Sequence, residues 1–102
     1  MSDRISREEL VKIYNVELKF IDELVDFGLL KTFTENEISY ILYEELPAFE
    51  RFANWHYDLE INLPGIDMVN NLLQKVRELQ AENRRLANRQ FALESLAEDY
   101  ED

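Results

Sequence analysis

A leucine at every seventh position in the last third of the chain is the feature that most limits how this chain can fold. The d positions of this heptad pattern hold Leu72, Leu79, Leu86 and Leu93, and the a positions hold Val69, Val76, Asn83, Gln90 and Ala97. A narrow apolar seam of about four heptads is typical of a coiled coil. The spacing therefore predicts one long helix, which begins at the break Leu63-Pro64-Gly65-Ile66.

This seam predicts a homodimer. The residues that we expect at its interface are Val69, Leu72, Val76, Leu79, Asn83, Leu86 and Leu93. Paired Asn83 side chains favour parallel strands, because a positions face each other in that arrangement. Packing of the seam on the chain's own N-terminal domain is an alternative. The last nine residues hold five acids, and we expect this end to fray.

The first third of the chain predicts two short helices joined by a tight turn. Ser6 and Glu9 have the spacing of a capping box at a helix start. The apolar residues that follow at helical spacing are Leu10, Ile13 and Tyr14. A second helix, from about residue 17 to 27, buries Phe20, Ile21, Leu24 and Val25 and ends before Gly28, which tolerates a left-handed backbone. Together these elements form a helix-turn-helix pattern.

The middle of the chain predicts a β-hairpin and a third helix. Residues 30–34 and 38–43 are rich in β-branched and aromatic residues, with a turn at 35–37 between them. The third helix begins near Glu44 or Glu45, has Pro47 in its first turn, and places Phe49, Phe52, His56 and Leu59 on one side. The predicted fold is mainly α, with an acidic domain over residues 1–63 and a protruding helix with an acidic tail over 64–102.

Charge argues against nucleic acid as the partner. The chain has 11 basic and 22 acidic residues, a net charge of −11. The second helix, which would enter a DNA groove in a helix-turn-helix protein, carries Glu17, Asp22, Glu23 and Asp26 against Lys19 alone. Carboxylates repel the phosphates that basic side chains normally contact. The basic residues gather on the long helix instead, as a solvated exterior or as a surface for an acidic partner.

The sequence offers little for catalysis. Cysteine is absent and His56 is the one histidine, so metal clusters and nucleophilic relays have few residues to use. We read His56 as a satisfied, partly buried side chain and the paired carboxylates as solvated surface. No cofactor, metal site or catalytic residue is therefore expected. With neither a signal sequence nor a membrane-length apolar run, the expectation is a cytoplasmic protein that does not enter membranes.

The order of elements, from the helix-turn-helix that ends at Phe27-Gly28-Leu29-Leu30 to the coiled coil, resembles MerR-type regulators with a winged helix-turn-helix. More narrowly, Leu63-Pro64-Gly65-Ile66 with Leu79-Gln80-Ala81-Glu82-Asn83 and Leu86 is similar to CbpM-type chaperone modulators. The stretch Phe20-Ile21-Asp22-Glu23 stands where MerR regulators carry an Arg-Tyr-Tyr-like sequence. MerR-like proteins usually pair their long helices antiparallel, which opposes the orientation that Asn83 favours.

The CbpM resemblance implies a protein that binds the J-domain of a CbpA-like, DnaJ-related co-chaperone and inhibits its action. A J-domain presents a basic helix to Hsp70, and an acidic surface can compete for it. The residues that we expect to bind it are Asp22, Glu23, Asp26, Phe27, Glu44, Glu45, Trp55 and Asp58, although core filling is the alternative for Trp55. Two other functions stay open: a dimeric DNA-binding regulator of the MerR type and a coiled-coil adaptor without a chaperone link.

Overall fold

The computed structural model describes residues 3–99, and the chain divides into two compact units, Met1–Met68 and Val69–Asp102. The helices are α1 (Arg7–Tyr14), α2 (Leu18–Asp26), α3 (Leu46–Ala53) and α4 (Leu63–Asp99), and the strands are β1 (Arg4–Ser6), β2 (Phe33–Glu35) and β3 (Ile38–Leu42). A 3-10 turn, Tyr43–Glu45, precedes α3, and a π-helical segment, Asn54–Asp58, follows it. The first turn of α4 thus belongs to the first unit, which continues past the predicted boundary at residue 63.

The capping box predicted at the start of α1 is confirmed. The Ser6 hydroxyl accepts a hydrogen bond from the Glu9 amide at 3.1 Å, and the Glu9 carboxylate accepts one from the Ser6 amide at 3.3 Å. Leu10 is fully buried, but the prediction for Ile13 was wrong, because 66% of its surface is exposed. The buried face of α1 runs through Leu10, Val11 and Tyr14, so Ile13 lies beside it rather than on it.

The helix-turn-helix is confirmed. Asn15 has a left-handed backbone (φ 53°), and Val16 is buried beneath the turn. In α2 the buried residues are Phe20, Ile21 and Leu24, and Val25 packs against them with partial exposure. Gly28 follows the helix with φ 75°, the conformation that its position after the helix end predicted.

The predicted hairpin is present within a larger sheet. Strands β2 and β3 pair antiparallel through the cross-strand partners Phe33 and Tyr40, and Asn36 and Glu37 form the turn with positive φ. The first strand was not predicted: β1 pairs antiparallel with β3, which gives the order β1-β3-β2. Leu30, which the prediction included in the hairpin, is buried ahead of β2.

The third helix changes pitch at its end. Phe49 and Phe52 are buried as predicted, and Pro47 lies in the first turn of α3. The prediction that Leu59 shares this face was wrong, because 64% of its surface is exposed. The π-helical turns between Ala53 and Leu59 take more residues per turn, so the α-helical spacing used for the prediction no longer applies.

The core of the first unit is continuous. It joins β1, both helices of the helix-turn-helix, β3, α3 and the first turn of α4, through the buried residues Ile5, Leu10, Val16, Phe20, Ile21, Leu24, Leu30, Ile41, Phe49, Phe52, Leu63 and Ile66. Two rings anchor its centre, since Phe20 and Phe49 lie 6.2 Å apart between centroids. This packing fixes α2, and therefore the direction of its outward side chains.

Helix α4 continues through the second unit to Asp99, so the tail predicted to fray is helical up to that residue, and residues 100–102 lie outside the described part. Its seam is largely open to solvent in the single chain: Leu79 is 66% exposed, and the other exposed members are Leu72, Val76, Leu86 and Leu93. Within residues 3–99, no helix is long and apolar enough to cross a membrane.

Candidate protein-binding site

A groove beside α2 collects acidic and apolar side chains in the first unit. Its volume is about 620 Å³, and its lining residues are Glu17, Lys19, Phe20, Glu23, Asp26, Phe27, His56, Asn62, Leu63 and Pro64. The outward residues of α2 reach the groove because Ile21 and Leu24 hold another side of the helix in the core. The other wall comes from the π-helical segment and the residues around the start of α4.

The charge of the groove is negative. Three carboxylates, from Glu17, Glu23 and Asp26, face one ammonium group, from Lys19. The Lys19 Nζ lies 3.9 Å from Glu23 Oε1, a long contact between exposed groups that contributes little energy. The groove is therefore suited to a cationic partner.

Apolar surface lies next to these carboxylates. Phe27 leaves α2 with 44% of its surface exposed, and Leu63 and Pro64 stand at the start of α4. Asn62 caps that helix, because its Oδ1 accepts a hydrogen bond from the Gly65 amide at 2.8 Å. A Cβ at Gly65 would lie 2.8 Å from Ile61 Cγ2, so the glycine permits this close approach. An exposed aromatic ring beside charges is a common composition for a protein-binding surface.

His56 forms part of the groove wall. Its ring stacks on Phe20, with 4.6 Å between centroids and 12° between planes, and it contacts Tyr57 edge to face at 4.9 Å. The His56 Nδ1 lies 3.0 Å from the Ile61 carbonyl oxygen. Because that oxygen can only accept, Nδ1 carries the hydrogen. His56 is therefore partly buried as predicted, and one of its two ring nitrogens has a hydrogen-bond partner.

Two arginines of the first unit, Arg4 on β1 and Arg7 on α1, are paired with acids. Arg7 Nη1 donates to Asp22 Oδ1 at 2.7 Å. Arg4 pairs with Glu35 and lies over the Tyr40 ring, 4.3 Å from its centroid. The hydrogen bond from Arg4 to Glu35 raises the pKa of the Arg4 guanidinium. These two cations are thus paired with carboxylates within the molecule.

The structure brings only some of the predicted partner-binding residues together. Glu23, Asp26 and Phe27 line the acidic groove. Asp22 lies in an adjoining depression with Arg7, and Asp26 lines both. Glu44 and Glu45 lie on the 3-10 turn before α3 and line neither depression.

Trp55 and Asp58 also lie away from this groove's lining. Trp55 is half-buried with its ring edge to face against Phe52, 5.8 Å between centroids, so it fills space at the edge of the core. Asp58 lines a separate depression of about 520 Å³ with Tyr14 and Glu50. There the Tyr14 hydroxyl donates to Glu50 Oε1 at 2.7 Å, and this bond raises the pKa of the Tyr14 phenol.

Sequence reasoning assigned only three of the ten lining residues, Glu23, Asp26 and Phe27, to a binding site. Glu17 and Lys19 were seen only as helix charges, Leu63 and Pro64 only as a helix start, and Asn62 was not singled out. The proximity of the last three to α2 depends on the π-helical segment and on the burial of Leu63, which no local pattern showed. Among residues 3–99, no three His, Asp or Glu side chains are placed to hold a metal ion.

The predicted dimer residues lie on α4, in the second unit. Most of the seam is exposed, and Asn83 lies on the same side as Leu86 and Gln90, with which it lines a shallow depression. Arg85 pairs with Glu82 on this helix, at 2.5 Å between Nη2 and Oε1. An exposed apolar stripe of this length is available to a second helix.

Comparison with known proteins agrees with this architecture. No curated protein and no solved structure matches the chain. A family model described as "MerR HTH family regulatory protein" matches residues 5–88, which include the helix-turn-helix, the hairpin, α3 and most of α4. The chain therefore belongs to the MerR helix-turn-helix family of regulatory proteins.

Proposed function

We propose that this protein binds the J-domain of a CbpA/DnaJ-like co-chaperone through the acidic groove beside α2 and inhibits its co-chaperone activity. The observation that carries the proposal is the groove itself, which is lined by three carboxylates and by an exposed aromatic ring, Phe27. The similarity of Leu63-Pro64-Gly65-Ile66 to the CbpM-type modulators adds support, because two of these residues line the groove.

Charge complementarity provides the attraction. Residues 1–63 carry 14 acidic and 6 basic side chains, a difference of −8. A J-domain with a basic helix would be drawn to such a surface, which raises the association rate and disfavours acidic partners. The attraction weakens as salt screens the charges.

Phe27 and Pro64 provide the apolar contact. Charged pairs at an exposed rim contribute mainly to rate and specificity, whereas buried aromatic rings dominate the binding energy of most interfaces. Phe27 has both the exposure and the neighbours that such an anchor needs. Glu23 and Asp26, which line the same groove, complete a small site with an apolar centre and an acidic edge.

A DNA-binding role has weaker support despite the family. The residues from Glu17 to Phe27 include four acids and one base, and Arg4 and Arg7 are already paired with carboxylates. Specific and non-specific DNA binding both depend on basic side chains that reach phosphates. Helix α2 offers Lys19 alone for such contacts.

Calorimetric titration of the protein into the J-domain tests the proposal. We expect saturable binding at about 50 mM salt that weakens at about 200 mM. Asp26→Lys should lower the affinity about tenfold, because it places a cation in the groove near the end of α2 without removing a core contact. Glu78→Lys, the same charge change at a residue outside the groove lining, is the matched control and should bind like the wild type.

An Hsp70 ATPase assay tests the regulatory step. The wild-type protein should reduce the stimulation that the J-domain co-chaperone gives, and Asp26→Lys should do so only at higher concentration. Absence of heat at both salt concentrations would overturn the proposal. If the protein retards duplex DNA in a gel under the same conditions, a DNA-binding regulator is favoured. If the charge variants keep both J-domain binding and inhibition, an adaptor that acts through α4 is favoured.

A further inference from the structure

His56 has one nitrogen without a partner in the described part of the chain. Nδ1 is bonded to the Ile61 carbonyl, and Nε2 makes no hydrogen bond there and is not among the buried atoms that lack one. Nε2 is therefore not fully buried, and it belongs to a residue that lines the acidic groove. Since Nδ1 carries the hydrogen, Nε2 presents a lone pair and can only accept.

The ring cannot turn freely to reverse these roles. It is stacked on Phe20 on one face and meets the edge of Tyr57. The Tyr57 hydroxyl in turn accepts a hydrogen bond from the Glu17 amide at 3.0 Å, which joins the π-helical segment to the start of α2. Because Phe20 is buried in the core, its ring fixes the orientation of the imidazole that stacks on it.

The charged groups around the groove favour a donor with positive charge. On α2 and at its N-cap they are Glu17, Lys19, Glu23 and Asp26, three acids and one base. The segment of His56 also carries Tyr57, which contacts the His56 ring, and Asp58, which lines the separate depression with Tyr14. The start of α4 contributes the neutral Leu63 and Pro64. An N–H of a lysine or arginine side chain would meet an acceptor at Nε2 and carboxylates beside it.

We propose that His56 is a specificity-determining residue of the groove, where neutral Nε2 accepts a hydrogen bond from a lysine or arginine side chain of the partner. The identity of that partner as a J-domain rests on the proposed function. Protonation of His56 turns Nε2 into a donor and adds a positive charge, so it both removes the acceptor and repels the cation. Binding therefore weakens when His56 becomes protonated.

Two variants distinguish the role of Nε2 from that of Nδ1. His56→Gln places an amide oxygen near the position of Nε2 but cannot be protonated, whereas His56→Asn places its amide N–H near Nδ1 and leaves the groove without an acceptor. His56→Gln should retain most of the affinity and lose its pH dependence. His56→Asn should lose affinity about tenfold at neutral pH, the effect of one hydrogen bond to a charged group. Thermal unfolding of each variant, compared with wild type, separates folding from binding.

The experiment is a calorimetric titration of wild type and both variants at about pH 7.5 and about pH 5.5, the range in which histidine changes charge. Two partners are used in parallel, the J-domain and an amphipathic helical peptide of lysine, leucine and alanine. Comparison of wild type with His56→Gln cancels any titration that belongs to the partner. We expect the wild type to bind more weakly at the lower pH and the affinity of His56→Gln to change much less.

The outcomes distinguish the inference from the proposed function. If the J-domain binds but wild type and His56→Gln show the same pH dependence, the role of His56 is overturned and the function stands. If the J-domain fails to bind while the basic peptide binds with the expected dependence on His56, the function is overturned and the groove chemistry stands. If neither partner binds, both are overturned.

Discussion

Arg7 Nη1 donates a hydrogen bond to Asp22 Oδ1 at 2.7 Å, so the first residue of α1 neutralises an acid on α2. Arg4 is held in the same way by Glu35 of the hairpin. A helix-turn-helix protein that reads DNA directs such cations at phosphates. In this chain they instead join the helices and the hairpin to one another, and the outward charge of α2 is left acidic.

Neutral substitution on α2 should restore some affinity for duplex DNA. We expect the triple variant Asp22→Asn, Glu23→Gln and Asp26→Asn to bind a labelled duplex at least about tenfold more tightly than wild type at about 50 mM salt. The reason is that the variant removes three repulsive charges and releases Arg7. Fluorescence anisotropy measures the binding.

The control for this variant removes the same charge elsewhere, by Glu44→Gln, Glu45→Gln and Asp58→Asn, and should bind DNA like the wild type. Wild-type protein that binds the duplex as tightly as the α2 variant would show that the acids do not prevent DNA binding.

Replacement of Gly28 should lower stability because of the backbone conformation at this position, and not because a larger side chain would clash. Its φ is 75°, and a Cβ there would meet no atom within 4 Å. Gly28→Ala should lower the free energy of unfolding by about 1 kcal/mol, the cost of a left-handed conformation for a residue with a Cβ. Gly28→Asn, which tolerates this conformation better, should cost less. Urea unfolding measures both, and equal stability of all three proteins would contradict this account.

Tyr14 should make stability depend on alkaline pH. Its hydroxyl donates to Glu50, and this bond raises the pKa of the phenol above its ordinary value of 10.0. The folded state therefore favours the protonated phenol, so the contribution is fully present below pH 10.0 and is lost as pH rises through the higher folded-state pKa. Tyr14→Phe should lower stability at neutral pH by about 1 kcal/mol and remove this part of the alkaline loss. Chemical unfolding between about pH 8 and 11 tests it, and an unchanged pH profile in Tyr14→Phe would contradict the assignment.

Asn83 should limit the stability of a helix pair formed by α4. Asn83→Leu fills an a position of the seam, so thermal stability of the assembly should rise, by about 1.5 kcal/mol or more per copy. The control is Asn88→Leu, which places the same side chain on an exposed position outside the seam. Sedimentation gives the size of each assembly. If Asn83→Leu neither changes the size nor gains stability relative to the control, Asn83 is not at a paired a position.

Local chemistry in the sequence was enough to predict much of the fold. The Ser6–Glu9 box, the end of α2 before Gly28 and the turn at Asn36 and Glu37 each depend on a few neighbouring residues, and each is confirmed. Residue spacing failed where the helix pitch changed, as at Leu59, and where a short helix left the buried face undecided, as at Ile13. These two errors have the same cause: apolar spacing cannot fix the phase of a short or irregular helix.

Contacts between distant parts of the chain could not be predicted from the sequence. Strand β1 has only three residues, and its partner β3 lies more than thirty residues further along the chain. The acidic groove is a similar case, because Asp26 and Phe27 meet His56 and Pro64 only through packing of the core. The charge of α2 and the role of Phe27 could be predicted from the sequence, but the contribution of His56 and Pro64 to the groove could not.

Mapping the J-domain on the free protein by amide chemical shifts is the most direct test of the central claim, that the acidic groove binds a J-domain. On addition of unlabelled J-domain, the account predicts that the largest shifts lie at Glu23, Phe27, His56 and Leu63, and that they shrink at about 200 mM salt. Shifts confined to α4 beyond Val69, or to the hairpin, with these four amides unchanged, would contradict it.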